Sequence, residues 1–358
     1  MLQPYISWRH YEEYRACAPQ VMTLKSLDAK LARIHADPHG ARDFILADAK
    51  DADMAMGLLA SGSTWDGERE RPRSLAEYRE LMREVARQEL VDILLMSASS
   101  HDLLGIQERL FDNSPVTVAV RANDTTDIHL ARGGCYPQAP SMPFRSATIE
   151  QLQCGHVTCD DEERRRGCNL GLYSVTLNNH PEADLRTLEA YRAFRIEAEQ
   201  KGFRHFLEVF DPNVLAAIEP ERVGDFVNDQ IVRLLAAVPR SGRPLFLKIV
   251  YHGPKCMEAL ATYDPHLVPG VLGGAAGTTH DAFHLLAEAR KYGARAALFG
   301  RKINRAEHQL TFIQCLRRVA DGEINAKEAV SAYHGDLQKL KIRARLPLEQ
   351  DLELTQTF

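Results

Sequence analysis

The sequence has no long apolar run, no excess of basic residues and few cysteines for its length. No stretch approaches the roughly eighteen consecutive apolar residues that a membrane-spanning helix needs, and the N-terminal MLQPYISWRHYEEYR lacks the apolar block of a secretory signal. Lysine and arginine number 44 against 49 aspartate and glutamate, so the chain lacks the basic surface that neutralises nucleic-acid phosphates. These absences predict a cytoplasmic protein that binds neither membranes nor nucleic acid.

Cysteine is sparse, with seven residues spread over 358 positions. An odd and scattered set differs from the dense, even set of a small disulfide-stapled secreted domain. We therefore expect most of these thiols to be reduced. The remaining composition, 45% apolar and 26% charged, is that of an ordinary globular protein that can bury a large core.

The sequence does contain an alternation of short apolar runs and amphipathic stretches. Eight apolar runs, each closed by polar or glycine-rich residues, are FILAD from Phe44, VDILLMS from Val91, PVTVAV from Pro115, LYSVTL from Leu172, HFLEVF from His205, PLFLKIV from Pro244, LVPGVLG from Leu267 and ARAALFG from Ala294. Between several of them, stretches such as SLAEYRELMREVARQEL repeat apolar residues at three- and four-residue spacing, which is typical of helices. Buried parallel strands that alternate with helices predict an α/β fold, a (β/α)8 TIM barrel.

Three segments lie outside this repeat, and we expect them to belong to one domain that spans residues 1–358. Residues 1–43 carry a helical pattern that would close the bottom of the barrel, and residues 306–358 predict two helices and a polar tail. Residues 124–170 form an insertion after the third strand, with three prolines, a glycine pair and four of the seven cysteines. Loops that follow barrel strands lie on the catalytic face, so we interpret the insertion as a lid or a subunit contact, with residues 132–145 in contact with the substrate pocket of their own or an adjacent subunit.

A lysine and a glutamate within the apolar runs are the first candidates for chemistry. Lys248 has apolar neighbours on both sides in LFLKIV, and loss of hydration there would lower its pKa toward neutrality, as a Schiff-base nucleophile requires. The alternative is a lysine that pairs with a carboxylate and does nothing else. Glu208 in FLEVF is the candidate general acid or base, unless it forms only a structural ion pair with Lys248.

Four more charged residues lie at comparable depth in other strands: Asp48, Lys50, Asp51 and Arg121. A barrel interior holds charged groups only near its C-terminal rim, where they meet water, substrate and each other. We expect the aspartates to act in catalysis, and Lys50 and Arg121 to bind substrate. The sequence leaves open which aspartate reaches the substrate.

Glycines near the end of the chain predict a phosphate site. Gly273 and Gly274 lie between a strand and a helix in GVLGGAAGTTHDAF, and Gly300 precedes Arg301 in ALFGRKIN. Glycine-loop amides, the start of the following helix and an arginine side chain all bind phosphate, and the loops after strands seven and eight are its usual place in these barrels. The alternative is a glycine cluster that only marks a tight turn.

These residues resemble a known family. LFLKIVYHGP and VLGGAAGTTHDAFHLLAEARKYGARAALFGRKIN resemble the last three strands of the class I (Schiff-base) aldolases of the archaeal-type fructose-bisphosphate and tagatose-bisphosphate aldolase group. Specific motifs carry the resemblance over residues 244–305. Before residue 244 only the order of strands and helices is similar. It implies a Schiff base at Lys248 and a phosphate site at the glycines and arginine just named. Glu208 is similar to the strand-five glutamate of the tagatose-bisphosphate branch, and the strand-one aspartate matches Asp48 or Asp51.

The sequence departs from that pattern in two places. Phe210 and Asp211 stand where the archaeal branch has a tyrosine proton donor, and the insertion at 124–170 is foreign to the family. The resemblance implies a lyase without a cofactor that acts on a phosphorylated ketose or a related sugar phosphate, and we expect a homo-oligomer. The alternatives are a metal-dependent barrel aldolase or isomerase that uses His252, His280 and the acidic residues, and a non-catalytic barrel that binds a sugar phosphate.

The insertion also contains CGHVTC followed by a further cysteine. Its conceivable zinc ligands are Cys154, His156, Cys159 and Cys168. Their spacing is not that of paired CxxC knuckles, and the adjoining DDEERRR is typical of an exposed loop. We therefore expect no bound metal.

Overall fold

The centre of the molecule is a closed barrel of eight parallel strands. The structure is a computed structural model that describes residues 24–65, 68–129, 131–214, 218–274 and 277–356. The barrel strands are β1 (Ile45–Lys50), β2 (Ile93–Met96), β3 (Thr117–Arg121), β4 (Leu170–Thr176), β5 (Arg204–Phe210), β6 (Leu247–Ile249), β7 (Gly270–Leu272) and β8 (Ala296–Phe299). Each pairs with its neighbours in chain order, and β8 closes on β1. Every predicted run overlaps one strand, so the predicted TIM barrel is confirmed.

Helices surround the barrel and follow most of its strands. They are α1 (Ser26–Ala36), α2 (Asp53–Met56), α3 (Leu75–Gln88), α4 (Ala98–His101), α5 (Ile149–Cys154), α6 (Asp161–Arg166), α7 (Pro181–Gln200), α8 (Val223–Ala236), α9 (Gly253–Tyr263), α10 (Thr279–Lys291), α11 (Arg301–Arg305), α12 (Gln309–Asp321), α13 (Ala326–Lys339) and α14 (Leu348–Asp351). The predicted C-terminal helices are α12 and α13. Within the described ranges, no helix is long and apolar enough to cross a membrane.

Alternation along the strands divides the buried side chains between two cores. One core fills the barrel interior with residues such as Ala47, Leu172 and Phe206, and the other lies between the strands and the helices. Since successive side chains of a strand point to opposite faces, a residue's position along its strand decides which core it enters.

Helix α1 closes the N-terminal end of the barrel, and residues 1–23 of the predicted N-terminal extension lie outside the described residues. Its buried residues Leu27, Leu31 and Ile34 belong to the interior core. They recur at three- and four-residue spacing, which places them on one face of the helix. The interior therefore opens at its C-terminal end.

The insertion after β3 is more regular than its sequence suggests. Strand pair Asp124–Thr125 and Pro143–Phe144 forms a short antiparallel hairpin, and α5 and α6 follow it. Both helices begin with a capping box, formed by Thr148 with Gln151 and by Asp160 with Glu163. In a capping box two side chains satisfy backbone amides that the first turn leaves unpaired, which stabilises helices as short as these.

Candidate active site

Polar side chains from neighbouring strands meet inside the C-terminal end of the barrel. They are Asp51 just after β1, Arg121 at the end of β3, Ser174 in β4, Glu208 in β5 and Lys248 in β6. Each of them lies two positions after a residue of the interior core. Because side chains two positions apart on a strand point to the same face, all five point into the barrel. The core residues that precede them are Ala49, Ala119, Leu172, Phe206 and Phe246. All are at most 8% exposed. We call this set the rim cluster.

Lys248 and Glu208 form the centre of the rim cluster. They lie directly opposite each other in β6 and β5, and Lys248 Nζ is 2.5 Å from Glu208 Oε1. Beneath them Phe206 and Phe246 stack with ring centroids 4.6 Å apart. On the other side, Ser174 Oγ donates a hydrogen bond to Glu208 Oε2 at 2.7 Å. Both carboxylate oxygens of Glu208 are thus held, with one directed at the lysine.

Arg121 connects this centre to the first strand. Its Nη1 donates to Asp51 Oδ2 at 2.7 Å and its Nη2 to Ser174 Oγ at 3.3 Å. Its Nε lies 3.0 Å from Asp124 Oδ1. Burial disfavours the charged form of Arg121, but the surrounding carboxylates, Asp51 first among them, outweigh burial and raise its pKa above the ordinary value. Arg121 is therefore a permanent cation.

Sequence reasoning missed Ser174 and Asn123. Asn123 Nδ2 donates to Ser174 O at 2.8 Å, and Ser174 N donates to Asn123 Oδ1 at 2.7 Å. This reciprocal pair joins the ends of β3 and β4, and so positions both Arg121 and the serine hydroxyl. The signal for Ser174 was its inward position in LYSVTL, in register with Glu208.

The structure does not bring Asp48 and Lys50 to the rim, contrary to the expectation from their depth in the strand. Both alternate toward the helices and are fully buried there, with Lys50 Nζ 3.0 Å from Asp48 Oδ2. Lys50 also donates to the side chain of Asn304 on α11. Burial raises the pKa of Asp48 and lowers the pKa of Lys50, and the ion pair opposes both shifts. Of the two aspartates, Asp51 is the one that meets the rim cluster.

Two of the predicted phosphate-site glycines have a packing role. A Cβ on Gly273 would lie 2.0 Å from the ring of Phe299, and a Cβ on Gly300 would lie 2.6 Å from the backbone oxygen of Ala49. Both distances are below any contact that a real Cβ makes, so glycine is required where β7 and β8 pass their neighbours. Close packing alone explains these two glycines.

Gly274 and Arg301 are open to a ligand. Both are exposed. Among the described residues, no atom lies within 4 Å of a Cβ built on Gly274, and none forms a hydrogen bond or ion pair with the Arg301 guanidinium. The start of α10, which the sequence assigned to phosphate, is instead occupied by carboxylates of the chain itself. Asp351 accepts from Thr279 N at 2.7 Å, and Asp281 accepts from Thr278 N at 2.7 Å.

The insertion lies at the C-terminal end of the barrel. Asn213, after β5, donates to the backbone oxygens of Pro137 at 2.9 Å and Ala139 at 2.7 Å. Asp127 accepts from Ser141 Oγ at 2.8 Å and from Thr176 Oγ1 at 2.7 Å. These contacts place residues 137–141 on the side of the rim cluster, while their contact with a substrate stays a prediction.

A cavity of about 260 Å³ lies beside the rim cluster, between the ends of β1 to β3 and the insertion. Its polar lining residues are Asp53, Ser97, Ser99, Arg121, Asn123 and Ser146. Ser97 Oγ donates to Asp53 Oδ2 at 2.6 Å, and burial raises the pKa of Asp53. The insertion contributes Ser146, Ala147 and Leu152 to this cavity.

The histidines of the metal-dependent alternative are not grouped at the rim. His252 Nε2 lies 2.7 Å from Asp211 Oδ1, and His280 Nδ1 lies 2.7 Å from the backbone oxygen of Leu352. Among the described residues, the group of three metal-ligating side chains that the structure does bring together lies in the insertion. His252 and His280 therefore each have a separate partner in the described part of the chain.

The conceivable zinc ligands of the insertion are only partly brought together. Cys154 and Cys159 form a disulfide, while Cys168 is buried apart from them, with its Sγ 3.1 Å from the backbone oxygen of Leu170. The other described cysteines, Cys135 among them, are free thiols. Cys17 lies outside the described residues.

Solved structures with this fold include Schiff-base aldolases, as the sequence resemblance predicts. An archaeal fructose 1,6-bisphosphate aldolase aligns with a TM-score of 0.56 at 15% identity, over 83% of this chain and 100% of that chain. A Schiff-base-forming fructose-1,6-bisphosphate aldolase gives 0.58 at 14%, over 82% and 100%. The fructose-bisphosphate aldolase from Slackia heliotrinireducens gives 0.61 at 12%, over 90% and 95%. Identities this low show the fold alone. No protein-family model and no curated protein matches the sequence.

Proposed function

We propose that this chain is a class I aldolase, a lyase that forms or cleaves a carbon–carbon bond in a phosphorylated ketose or related sugar phosphate. The observation that carries the proposal is the contact of 2.5 Å between Lys248 Nζ and Glu208 Oε1 at the open end of the barrel. A lysine must lose a proton before it attacks a carbonyl, and this carboxylate is in position to accept it. Active sites of TIM-barrel enzymes lie at this end.

In the proposed reaction Lys248 attacks the ketone carbon, and Glu208 carries a proton to the hydroxyl that leaves as water. The resulting iminium accepts the electron pair when the bond between the carbons α and β to the former carbonyl breaks. The enamine is then protonated at carbon, and hydrolysis of the iminium releases the second product and restores Lys248. Ser174 assists by fixing the second oxygen of Glu208.

Cleavage also needs a base for the hydroxyl on the β carbon. Asp51 is the strand-one aspartate of the proposal, because it lies in the rim cluster whereas Asp48 faces the helices. Arg121 holds Asp51 and Ser174 together and keeps its charge, so it stabilises negative charge that develops on the substrate oxygen.

The phosphate group is assigned to Arg301 and Gly274 at the ends of β8 and β7. An exposed arginine can bind a phosphate through two parallel hydrogen bonds, and an open glycine lets the backbone approach it. The proposal further treats residues 1–358 as one domain in a cytoplasmic homo-oligomer, for which light scattering after size exclusion measures the subunit number.

Borohydride trapping tests the proposal. The protein is incubated with a panel of ketose phosphates, reduced with borohydride, digested, and mapped by mass spectrometry. We expect an adduct on Lys248 in the wild type and in the control Lys255→Met, which changes an exposed lysine on α9. Lys248→Met should give neither adduct nor turnover, and circular dichroism shows whether it is folded.

The same panel separates the alternatives. Turnover by folded Lys248→Met, or an adduct on another lysine, contradicts the Schiff-base reaction. Turnover that EDTA abolishes would favour a metal-dependent enzyme, and binding without turnover would favour a non-catalytic sugar-phosphate-binding barrel.

A further inference from the structure

We propose that the reduced chain binds one zinc ion in the insertion, with Cys154, His156, Cys159 and Glu163 as its ligands. The four residues lie within ten positions, from the last residue of α5 to the first turn of α6. They are distinct from the rim cluster, and the inference does not depend on the proposed function.

The donor atoms already converge. The ligand atoms of Cys154, His156 and Glu163 lie within 4.8 Å of one another, and His156 Nε2 is 2.9 Å from Glu163 Oε1. The sulfur of Cys159 is beside that of Cys154, because the two are bonded. Tetrahedral zinc, with bonds of about 2.0–2.3 Å, needs donors roughly 3.3–3.8 Å apart. Cys154 ends α5 and Cys159 lies in the loop before α6, so reduction frees both side chains to rotate and separate toward that distance.

The carboxylate is held in place by the helix that carries it. Glu163 Oε2 accepts from Asp160 N at 3.0 Å in the capping box of α6, which leaves Oε1 directed at His156. A ligand fixed by a second hydrogen bond loses less conformational freedom when the metal binds. The side chains of His156 and Glu163 are 52% and 41% exposed whereas Cys154 is buried, so an ion can enter from solvent and still meet a sulfur inside.

The surrounding charges suit this donor set. Two thiolates and one carboxylate around Zn²⁺ leave one net negative charge, which a nearby cation would offset. Arg164 supplies it, since its Nη2 donates to the backbone oxygen of Cys159 at 3.2 Å and its Nη1 to Gln153 Oε1 at 3.2 Å. Cys168 takes no part, because its Sγ is buried against β4.

The two states of the cysteine pair are related by a balanced exchange. A cellular dithiol gives two electrons and two protons to the disulfide and becomes a disulfide itself, which leaves two thiols on the insertion. Zinc binding then releases both thiol protons to solvent. In a reducing compartment, closely spaced cysteines hold metals more often than disulfides. Four protein ligands leave no open position, so the ion is structural and joins α5, whose Leu152 lines the cavity, to α6.

Metal titration tests the site. The full chain is reduced with a phosphine, stripped of metal, and titrated with zinc in competition with a chromophoric chelator, and separately with Co²⁺. We expect one zinc per chain, and a cobalt spectrum with thiolate charge-transfer bands and the visible bands of tetrahedral coordination. Cys154→Ser and Cys159→Ser should each weaken zinc binding by about 100-fold or more.

Matched variants make the result specific. Cys135→Ser changes an exposed free cysteine of the same insertion and should bind zinc as the wild type does. Glu163→Gln and His156→Asn change exposed side chains without disturbing the core, and each should weaken binding by about 10-fold or more while the thiolate bands persist. The proposal is overturned if the reduced chain binds no zinc, if the cobalt spectrum lacks thiolate bands, or if the variants of Cys154, Cys159, His156 and Glu163 bind zinc as tightly as the wild type.

Discussion

Replacing Lys50 by methionine should destabilise the protein far more than removing its whole ion pair. Lys50 and Asp48 are fully buried 3.0 Å apart, and no described residue other than Lys50 donates a hydrogen bond to either carboxylate oxygen of Asp48. Lys50→Met therefore leaves a buried carboxylate with no compensating charge, which costs about 3–5 kcal/mol. Asp48→Leu/Lys50→Met removes both charges and loses only the bond to Asn304, about 1 kcal/mol.

Urea unfolding, followed by circular dichroism, measures the loss of unfolding free energy in the single and in the double variant.

The pH dependence of the unfolding free energy gives a second test. Burial without Lys50 raises the folded-state pKa of Asp48 above its unfolded value, so stability is retained while the carboxyl is protonated and is lost as the pH rises through the folded-state pKa. The loss of unfolding free energy in Lys50→Met, relative to the wild type, should thus be small in acid and grow as the pH rises. Equal losses in the single and double variants, or a deficit independent of pH, would refute this reasoning.

Three further outcomes are expected. Arg301→Ala should raise KM for a phosphorylated substrate by about 10- to 100-fold, since a charge-assisted pair contributes about 1.5–3 kcal/mol, and an unchanged KM would remove Arg301 from the phosphate site. Replacing residues 132–145 by a short glycine-serine link should lower kcat more than the unfolding free energy, and an unaltered kcat would end the lid interpretation. His205 Nε2 lies 2.8 Å from the hydroxyl of Tyr191, and burial lowers the pKa of His205 to about 3. Because the unfolded chain takes up a proton near pH 6.5 and the folded chain does not, stability should fall as the pH drops from 6.5 toward 3; His205→Asn should make that fall shallower, and an unaltered slope would contradict this.

The barrel was predictable because its strands are buried on both faces and so stand out as continuous apolar runs. The same runs made Lys248 and Glu208 conspicuous, and their contact follows from inward positions on adjacent strands. The sequence did not show which of Asp48 and Asp51 faces the barrel interior. In ILADAKD polar residues occupy both alternating sets, so the sequence does not say which set faces the interior; the register with β8 and β2 decides it.

The insertion was the least predictable part of the site. Its helices are only six residues long, and their capping boxes set their boundaries more than any apolar period does. The pairing of Cys154 with Cys159 depends on how the chain turns between those helices. Ser174 was overlooked because a hydroxyl on a buried strand is common and gains meaning only beside Glu208.

Helix α1 leaves the barrel interior with one opening, because its apolar face covers the end opposite to Lys248. Any small molecule that reaches the lysine must leave by the opening through which it entered. In the proposed cleavage reaction both products would share that exit, so the product nearer the opening would depart before the one bound to Lys248. Departing product and arriving substrate would then compete for the same opening. Helix α1 would cause this competition without touching any of the reacting atoms.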